Sequence, residues 1–270
     1  MTDFQQRVLR FYEEQGRDLP WRHLATDPTQ RLYEVIVSEM MLQQTQVPRV
    51  VQKYRQWLAR FPTMTAAAEV SLQEILEVWQ GLGYARRAKY LQGTCRELVG
   101  RDNLPSSIAE LIVHKGIGIN TAAAVLVYTF NQPQVFIETN IRTVYIAEFF
   151  SGHTAVSDAD IAQKLSETLY VTDPRTWYWA LMDYGTFLKT QGHTNVKSTA
   201  YARQSSFSGS KRQVRAAVLK SIVQEGPQKR SILLARHKDA RAGQCLDDLI
   251  MDGLLADLDG IIVVHGDGVK

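Results

Sequence analysis

The sequence predicts an all-α fold carrying a small module of different pattern near its C-terminal end. Apolar residues recur at helical spacing through roughly the first 200 positions, beginning with Phe4, Val8, Phe11 and Tyr12. The one strand-like run in that stretch, Gln134 to Ile137, is too short to found a sheet. A small-residue stretch, Ser205-Ser206-Phe207-Ser208-Gly209-Ser210, then marks a linker, and the pattern beyond it ends in the β-branched run Ile261-Ile262-Val263-Val264.

Each element follows from local chemistry. Phe4 to Gln15 carries one apolar stripe. Asp27-Pro28 places an N-cap before a proline at the first helical position and opens a helix expected to reach about Gln46. Further helical periods run through 50–60, 72–79, 86–99, 107–113, 121–130, 140–150, 158–169 and 174–188. Beyond the linker, 213–224, 229–237 and 242–255 are helix candidates, and Asp257-Leu258-Asp259-Gly260 supplies a turn before the final run. Three short helices followed by a hairpin resemble a winged helix, a module that binds nucleic acid or mediates protein contacts. No internal repeat is visible.

Composition narrows the class. With 270 residues, 45% of them hydrophobic and 22% charged, the chain is neither disordered nor a coiled coil. No apolar run approaches the roughly 18 residues that span a bilayer. Met1-Thr2-Asp3-Phe4-Gln5 lacks the basic and apolar regions of a signal peptide. Cys95 and Cys245 are too few for a disulfide framework or a four-cysteine metal site, so a reduced, cytoplasmic protein is expected. The net charge is only +3, but acidic residues vanish from Thr186 to Lys220 while Lys189, Lys197, Arg203, Lys211, Arg212, Arg215 and Lys220 accumulate there. Such a window is either a surface that meets a polyanion or a solvated linker.

Three motifs carry chemistry. Gly116-Ile117-Gly118-Ile119-Asn120-Thr121-Ala122 is a glycine pair opening an Ala-rich helix after an apolar one, which suits a helix–hairpin–helix. Its free amides and positive helix end would grip a phosphate without reading a base. Glu39 lies three, four and seven residues after Ile36, Val35 and Leu32, on the apolar face of its helix. Desolvation there would raise its pKa and make it a proton donor, unless it pairs structurally with Arg22 or Arg31. Glu138 follows an apolar run where a helix begins, and a helix N-terminus should keep it ionised, as it would an ordinary first-turn glutamate. One carboxylate inclined to acid and one to base is the division of labour that breaks glycosidic bonds.

At these residues the chain resembles the HhH-GPD DNA glycosylases, and among them the MutY-type adenine glycosylases. The resemblance covers roughly 18–190. It rests on Leu19-Pro20-Trp21-Arg22, Ser38-Glu39, Leu42-Gln43-Gln44-Thr45-Gln46-Val47 and Trp79-Gln80-Gly81-Leu82-Gly83-Tyr84. The hairpin, Glu138-Thr139-Asn140-Ile141-Arg142 and Met182-Asp183-Tyr184-Gly185 complete it. It implies a two-lobed helical core over 1–204 with the hairpin at about 107–130, a linker at 205–211 and a winged-helix-like domain over 212–270. It also implies a monofunctional hydrolase that flips a mispaired adenine, opposite 8-oxoguanine or guanine, out of double-stranded DNA and leaves an abasic site. Glu39 would protonate the departing base and assist water, Glu138 would stabilise the oxocarbenium-like sugar, and Asn140 would help arrange the site. Arg22 and Leu42 would line the base pocket. Gln44, Thr45 and Tyr84 would wedge the duplex and meet the opposing base. Lys115, Gly116, Gly118, Asn120, Thr121, Lys197, Arg203, Lys211 and Arg212 would hold the backbone.

The departures sharpen this expectation. Glu138 stands where the family has aspartate, with an arm longer by one methylene. Asn120 stands where lyase relatives carry lysine, so no Schiff-base nucleophile is placed there. The family's iron–sulfur cluster sits on four cysteines after the Met-Asp-Tyr-Gly region, where this chain has none, so no 4Fe–4S cofactor and no metal are expected. No Nudix-like domain is found. The expected partner is a mismatched or damaged duplex bound by a monomer associated with the nucleoid, with no membrane involved. A mismatch glycosylase for thymine opposite guanine, or a non-catalytic DNA-binding regulator, are the competing expectations.

Overall fold

Helix starts follow the capping chemistry written in the sequence. Thr2, Ser71, Ser107 and Ser157 each form a capping box with the residue three positions on. Asp27 accepts from the Gln30 amide at 2.7 Å ahead of Pro28. In this computed structural model, which describes residues 1–202 and 206–266, the helices of the long α region are α1 (Asp3–Gln15), α2 (Pro28–Leu42), α3 (Val47–Arg60), α4 (Met64–Glu69), α5 (Leu72–Trp79) and α6 (Arg86–Leu98). They continue as α7 (Ile108–Leu111), α8 (Ile119–Phe130), α9 (Thr139–Phe149), α10 (Asp158–Thr168) and α11 (Pro174–Thr190), with no strand among the described residues up to 202. The tail comprises α12 (Lys211–Glu225), β1 (Gln228–Lys229), α13 (Arg230–Arg236), α14 (Ala242–Met251), β2 (Leu255–Leu258) and β3 (Ile261–Val264). Its antiparallel sheet has the order β1-β3-β2, with Leu255 opposite Val264 and Leu258 opposite Ile261. The fold is therefore mostly helical, as expected.

Several boundaries differ from the sequence expectation. Helix α2 stops at Leu42 rather than near Gln46, because Gln44 adopts a left-handed backbone at φ 54°. Helix α4 was not expected: Thr63 caps it, but Met-Thr-Ala-Ala-Ala-Glu offers little apolar period to read. Helix α14 ends at Met251, so that Leu255 begins a strand.

The described residues form two compact units. The first holds Met1–Val35, Pro105–Val113 and the stretch from Ile117 to 202. Its core sets Phe4 edge-on to Tyr145 and Trp177 and stacks Phe136 on Tyr178 at 4.0 Å. Glycine is required at Gly185, where a Cβ would overlap the Asn140 carbonyl of α9. The second unit holds Ile36–Leu104, His114–Gly116 and 206–266. Trp57 packs edge-on against Phe61 and Trp79 there. The tail belongs to this unit: Gln73 donates to the Val223 carbonyl at 2.6 Å and Lys89 to the Asp252 carbonyl at 3.0 Å. Asp252 also pairs with Arg86 of α6 and Arg215 of α12. This division runs through the helical region rather than at the 205–211 stretch.

Candidate active site

In the second unit, the end of α2 carries Glu39. Every residue from Val35 to Met41 is buried except Glu39, which is half-open. It is the one polar position of that turn that solvent reaches. Leu42, also half-buried, closes the helix. The turn after it is held by a residue that sequence reasoning overlooked. Arg87, buried on α6, donates Nη1 to the carbonyls of Met40 (2.6 Å), Met41 (3.1 Å) and Gln43 (2.6 Å). Its Nη2 reaches the Thr45 hydroxyl (3.1 Å) and the carbonyls of Leu82 (3.1 Å) and Gly83 (3.2 Å). It thus satisfies the last carbonyls of α2, which no helical amide reaches. The guanidinium also lies over the Trp79 and Tyr84 rings, at 5.4 and 5.6 Å. Burial lowers its pKa to about 10, so it stays charged at neutral pH.

Two of the three expected wedge residues sit at strained backbone positions. Gln44 and Tyr84 both sit at positive φ, 54° and 46°, and both are exposed. Thr45 is half-buried and donates to the Leu82 carbonyl at 3.2 Å, joining the two wedge segments. The hairpin turn is attached as well: Gln43 Nε2 donates to the Gly116 carbonyl at 3.2 Å. Gly116 has φ +88°, and a Cβ there would press on Tyr90 and on the Met40 side chain. Lys115 beside it is exposed.

The remaining expected residues belong to the first unit. Gly118 is the N-cap of α8 and carries no side chain to cap it. Thr121 follows half-buried, and Asn120 donates to the Ile137 carbonyl at 3.3 Å. Glu138 is the N-cap of α9. Burial raises its pKa, opposed by the charge of Arg142 one turn later and by the Thr139 amide. In the direction of the shift, desolvation outweighs Arg142 and the helix-start amide. Arg142 in turn forks onto Asp158 at 2.8 and 2.7 Å. Asn140 accepts from Lys189 at 2.5 Å and donates to the Thr186 hydroxyl at 3.3 Å, so α11 fixes its amide.

Arg22 is placed differently from a free pocket donor. Its terminal nitrogens fork onto Asp183 at 2.8 Å each, and its plane lies over the Tyr12 and Trp179 rings. Arg17 joins the same carboxylate at 2.7 Å. Arg31 donates to the carbonyls of Ala25, Thr26 and Thr129. The Arg22 side chain is thus nearly buried, engaged by one carboxylate and two rings.

The basic window finds its counter-charges on other elements. Lys211 pairs with Asp248, Arg215 with Asp252, and Lys197 donates to the Ser151 carbonyl. Arg212 donates to the Tyr84 hydroxyl at 3.1 Å. Arg203 lies outside the described residues. The stretch after α11 is tied down by backbone bonds: Val156 donates to Lys197 and Thr199 donates to Val156, both at 2.9 Å. The chain's two cysteines are both buried, Cys95 on α6 and Cys245 on α14. That donor set does not fit a cluster held by four cysteines.

A family model described as HhH-GPD superfamily base excision DNA repair protein matches residues 37–170. A Mycolicibacterium smegmatis protein named adenine DNA glycosylase is 30% identical over 286 residues, covering 97% of this chain and 96% of its own. The chain belongs to the HhH-GPD superfamily.

Other relatives match over shorter stretches. The adenine DNA glycosylase of Mycobacterium tuberculosis is 38% identical over 140 residues, 51% of this chain and 44% of its own length. For the human adenine DNA glycosylase the figures are 37% over 150 residues, 53% and 28%. This chain thus spans less than half the length of these two relatives. Among solved structures, a thermostable thymine-DNA glycosylase aligns with TM-score 0.57 at 21% identity, covering 67% of this chain and 84% of that one. A trapped endonuclease III–DNA covalent intermediate aligns with TM-score 0.56 at 16% identity, covering 68% and 83%. These two likenesses concern the HhH-GPD fold. Glu39 and Glu138 both lie within the matched family region.

Proposed function

We propose that this chain is a monofunctional adenine DNA glycosylase that hydrolyses the N-glycosidic bond of an adenine flipped from double-stranded DNA. The observation that carries this reading is Glu39, a half-open carboxyl side chain in an otherwise buried helical turn directly before Gln44. Its relatives named adenine DNA glycosylase support the choice of base. In this reading Glu39 gives its proton to the departing adenine as the bond from C1′ to N9 breaks. Water then adds to C1′, and the proton it sheds returns to the carboxylate. Glu138 supplies negative charge to the cationic sugar, and Asn140 is held ready by Lys189 and Thr186. Asn120 at the hairpin gives no amine for a Schiff base, so the product is an abasic site. The hairpin from Lys115 to Thr121 is the proposed phosphate grip, and Leu42 and Arg22 are the proposed contacts of the extruded base. The reading requires no iron–sulfur cluster: backbone hydrogen bonds to Val156 anchor the stretch after α11. The protein is proposed to act as a monomer.

The test is base release from duplexes holding adenine opposite 8-oxoguanine, guanine or cytosine, with thymine opposite guanine alongside. Release of adenine, and loss of about a hundredfold or more in Glu39→Gln with duplex binding retained, is the expected result. Release of thymine instead supports the mismatch relative. Unchanged release in Glu39→Gln overturns the assignment of the acid.

A further inference from the structure

We propose that Arg212, supplied by the first turn of α12, is a positioning residue that fixes the Tyr84 ring where that ring would meet the base opposite the excised one. The inference rests on the glycosylase reading above and assigns a role to a part of the chain which that reading leaves idle.

Tyr84 is 42% exposed, an unusual state for a large ring at a strained left-handed position. Three contacts hold it there. Its backbone carries φ 46°, the Arg87 guanidinium lies 5.6 Å from its ring centroid, and Arg212 Nη1 donates to its hydroxyl at 3.1 Å. An aromatic face that is exposed, immobilised and flanked by cations is the stacking platform on which single nucleobases are received. A ring free to rotate about its side-chain bonds would pay that ordering entropy on each encounter.

The third contact comes from the tail, and it comes from a docked body. Asp252 receives Arg215 from α12 and Arg86 from α6, while its carbonyl accepts from Lys89. Gln73 of α5 donates to the Val223 carbonyl at the far end of α12. Ser210 caps α12 by accepting from the Gln213 amide at 3.3 Å, which sets the first turn on which Arg212 stands. The position of Arg212 is therefore inherited from the seating of the module on α5 and α6. A bound guanidinium at the phenol edge also sets where the ring's polar end lies relative to an incoming base.

The test uses the full chain and single-turnover rates of adenine release from two duplexes, with 8-oxoguanine or guanine opposite. The readout is the ratio of the two rates, which is independent of the active fraction. Arg212→Met is expected to shrink that ratio about fivefold, the equivalent of about 1 kcal/mol for one hydrogen bond. Tyr84→Phe, which keeps the ring and removes the hydroxyl, is expected to do the same, and the double variant to add nothing further. Arg212→Lys, whose ammonium can still donate to the hydroxyl, is expected to recover most of the ratio. A uniform fall on both duplexes with a reduced salt dependence of binding makes Arg212 a phosphate contact and overturns the proposal. Multiplying effects in the double variant, or an Arg212→Met ratio equal to that of the unaltered chain, overturn it too, with the glycosylase reading intact. No release by the unaltered chain from either duplex overturns that reading and this proposal together.

Discussion

Arg87→Met removes a guanidinium while keeping most of its apolar stem, which isolates the work of six hydrogen bonds. Three of the acceptors, the carbonyls of Met40, Met41 and Leu82, lie in buried bonds. A buried acceptor left without a donor costs about 1–3 kcal/mol, so the three together set a loss of about 3–9 kcal/mol. Water entry at the exposed neighbours Gln44 and Gly83 relieves part of it, which favours the lower end, about 3–4 kcal/mol. For a chain of this size each kcal/mol lowers the melting temperature by about 2–4 °C, so a drop of about 10 °C is expected by calorimetry. Arg87→Lys, with three donors on a shorter arm, should fall between. The same variants should lose discrimination between opposing bases, because Gln44 and Tyr84 rely on this residue for their left-handed backbones. A melting change under about 2 °C in Arg87→Met would refute the view that one side chain organises both wedge segments.

Three further outcomes follow from geometry. Gly185→Ala forces α11 away from the Asn140 backbone, with a stability loss of about 1–3 kcal/mol by denaturant titration and slower base release; full stability in the variant would mean the two helices tolerate separation. Arg142 lowers the Glu138 pKa against burial, so Arg142→Met should shift the acid limb of kcat to higher pH, since protonated Glu138 carries no charge for the sugar. A limb that stays or moves to lower pH excludes Arg142 as the counter-charge. Burial alone would raise the pKa of Asp183, but Arg22 and Arg17 hold it below the usual aspartate value. Its stabilising contribution is therefore complete above the unfolded pKa of about 3.9 and lost as pH falls through the lower folded value. Asp183→Asn should cost about 3–5 kcal/mol at pH 7 in denaturant titrations, with a weaker acid dependence than the parent, and a loss under 1 kcal/mol would count against the pair.

Much of this was written in local sequence. Helix periods, caps and the segments bearing Glu39 and Glu138 could be read because each depends on neighbours within a turn or two. What could not be read depends on distant partners. The end of α2 is set by Gln44 and by an arginine more than forty positions away. The pairing of Arg22 with Asp183 could not be read because nothing near Arg22 in sequence announces that partner. Glu138 occupies the predicted helix start, but its burial comes from packing that position alone does not reveal. The acid-free window from Thr186 to Lys220 looked strongly basic, whereas Asp248 and Asp252 return negative charge to it from α14 and its C-terminal cap. A charge tally along the chain thus overstates the field a polyanion would meet.

The turn at Gly116 has a mechanical corollary. Its backbone leaves no room for a Cβ beside the Met40 and Tyr90 side chains, and its carbonyl receives Gln43, so the residues flanking Glu39 on its C-terminal side are braced at Gly116. A pull exerted on that turn by a nucleic-acid strand would be delivered next door to the acid, with no flexible segment between to absorb it. Grip and chemistry would then be felt as one event, and substitutions that soften the brace should blunt turnover even where every reacting group is untouched.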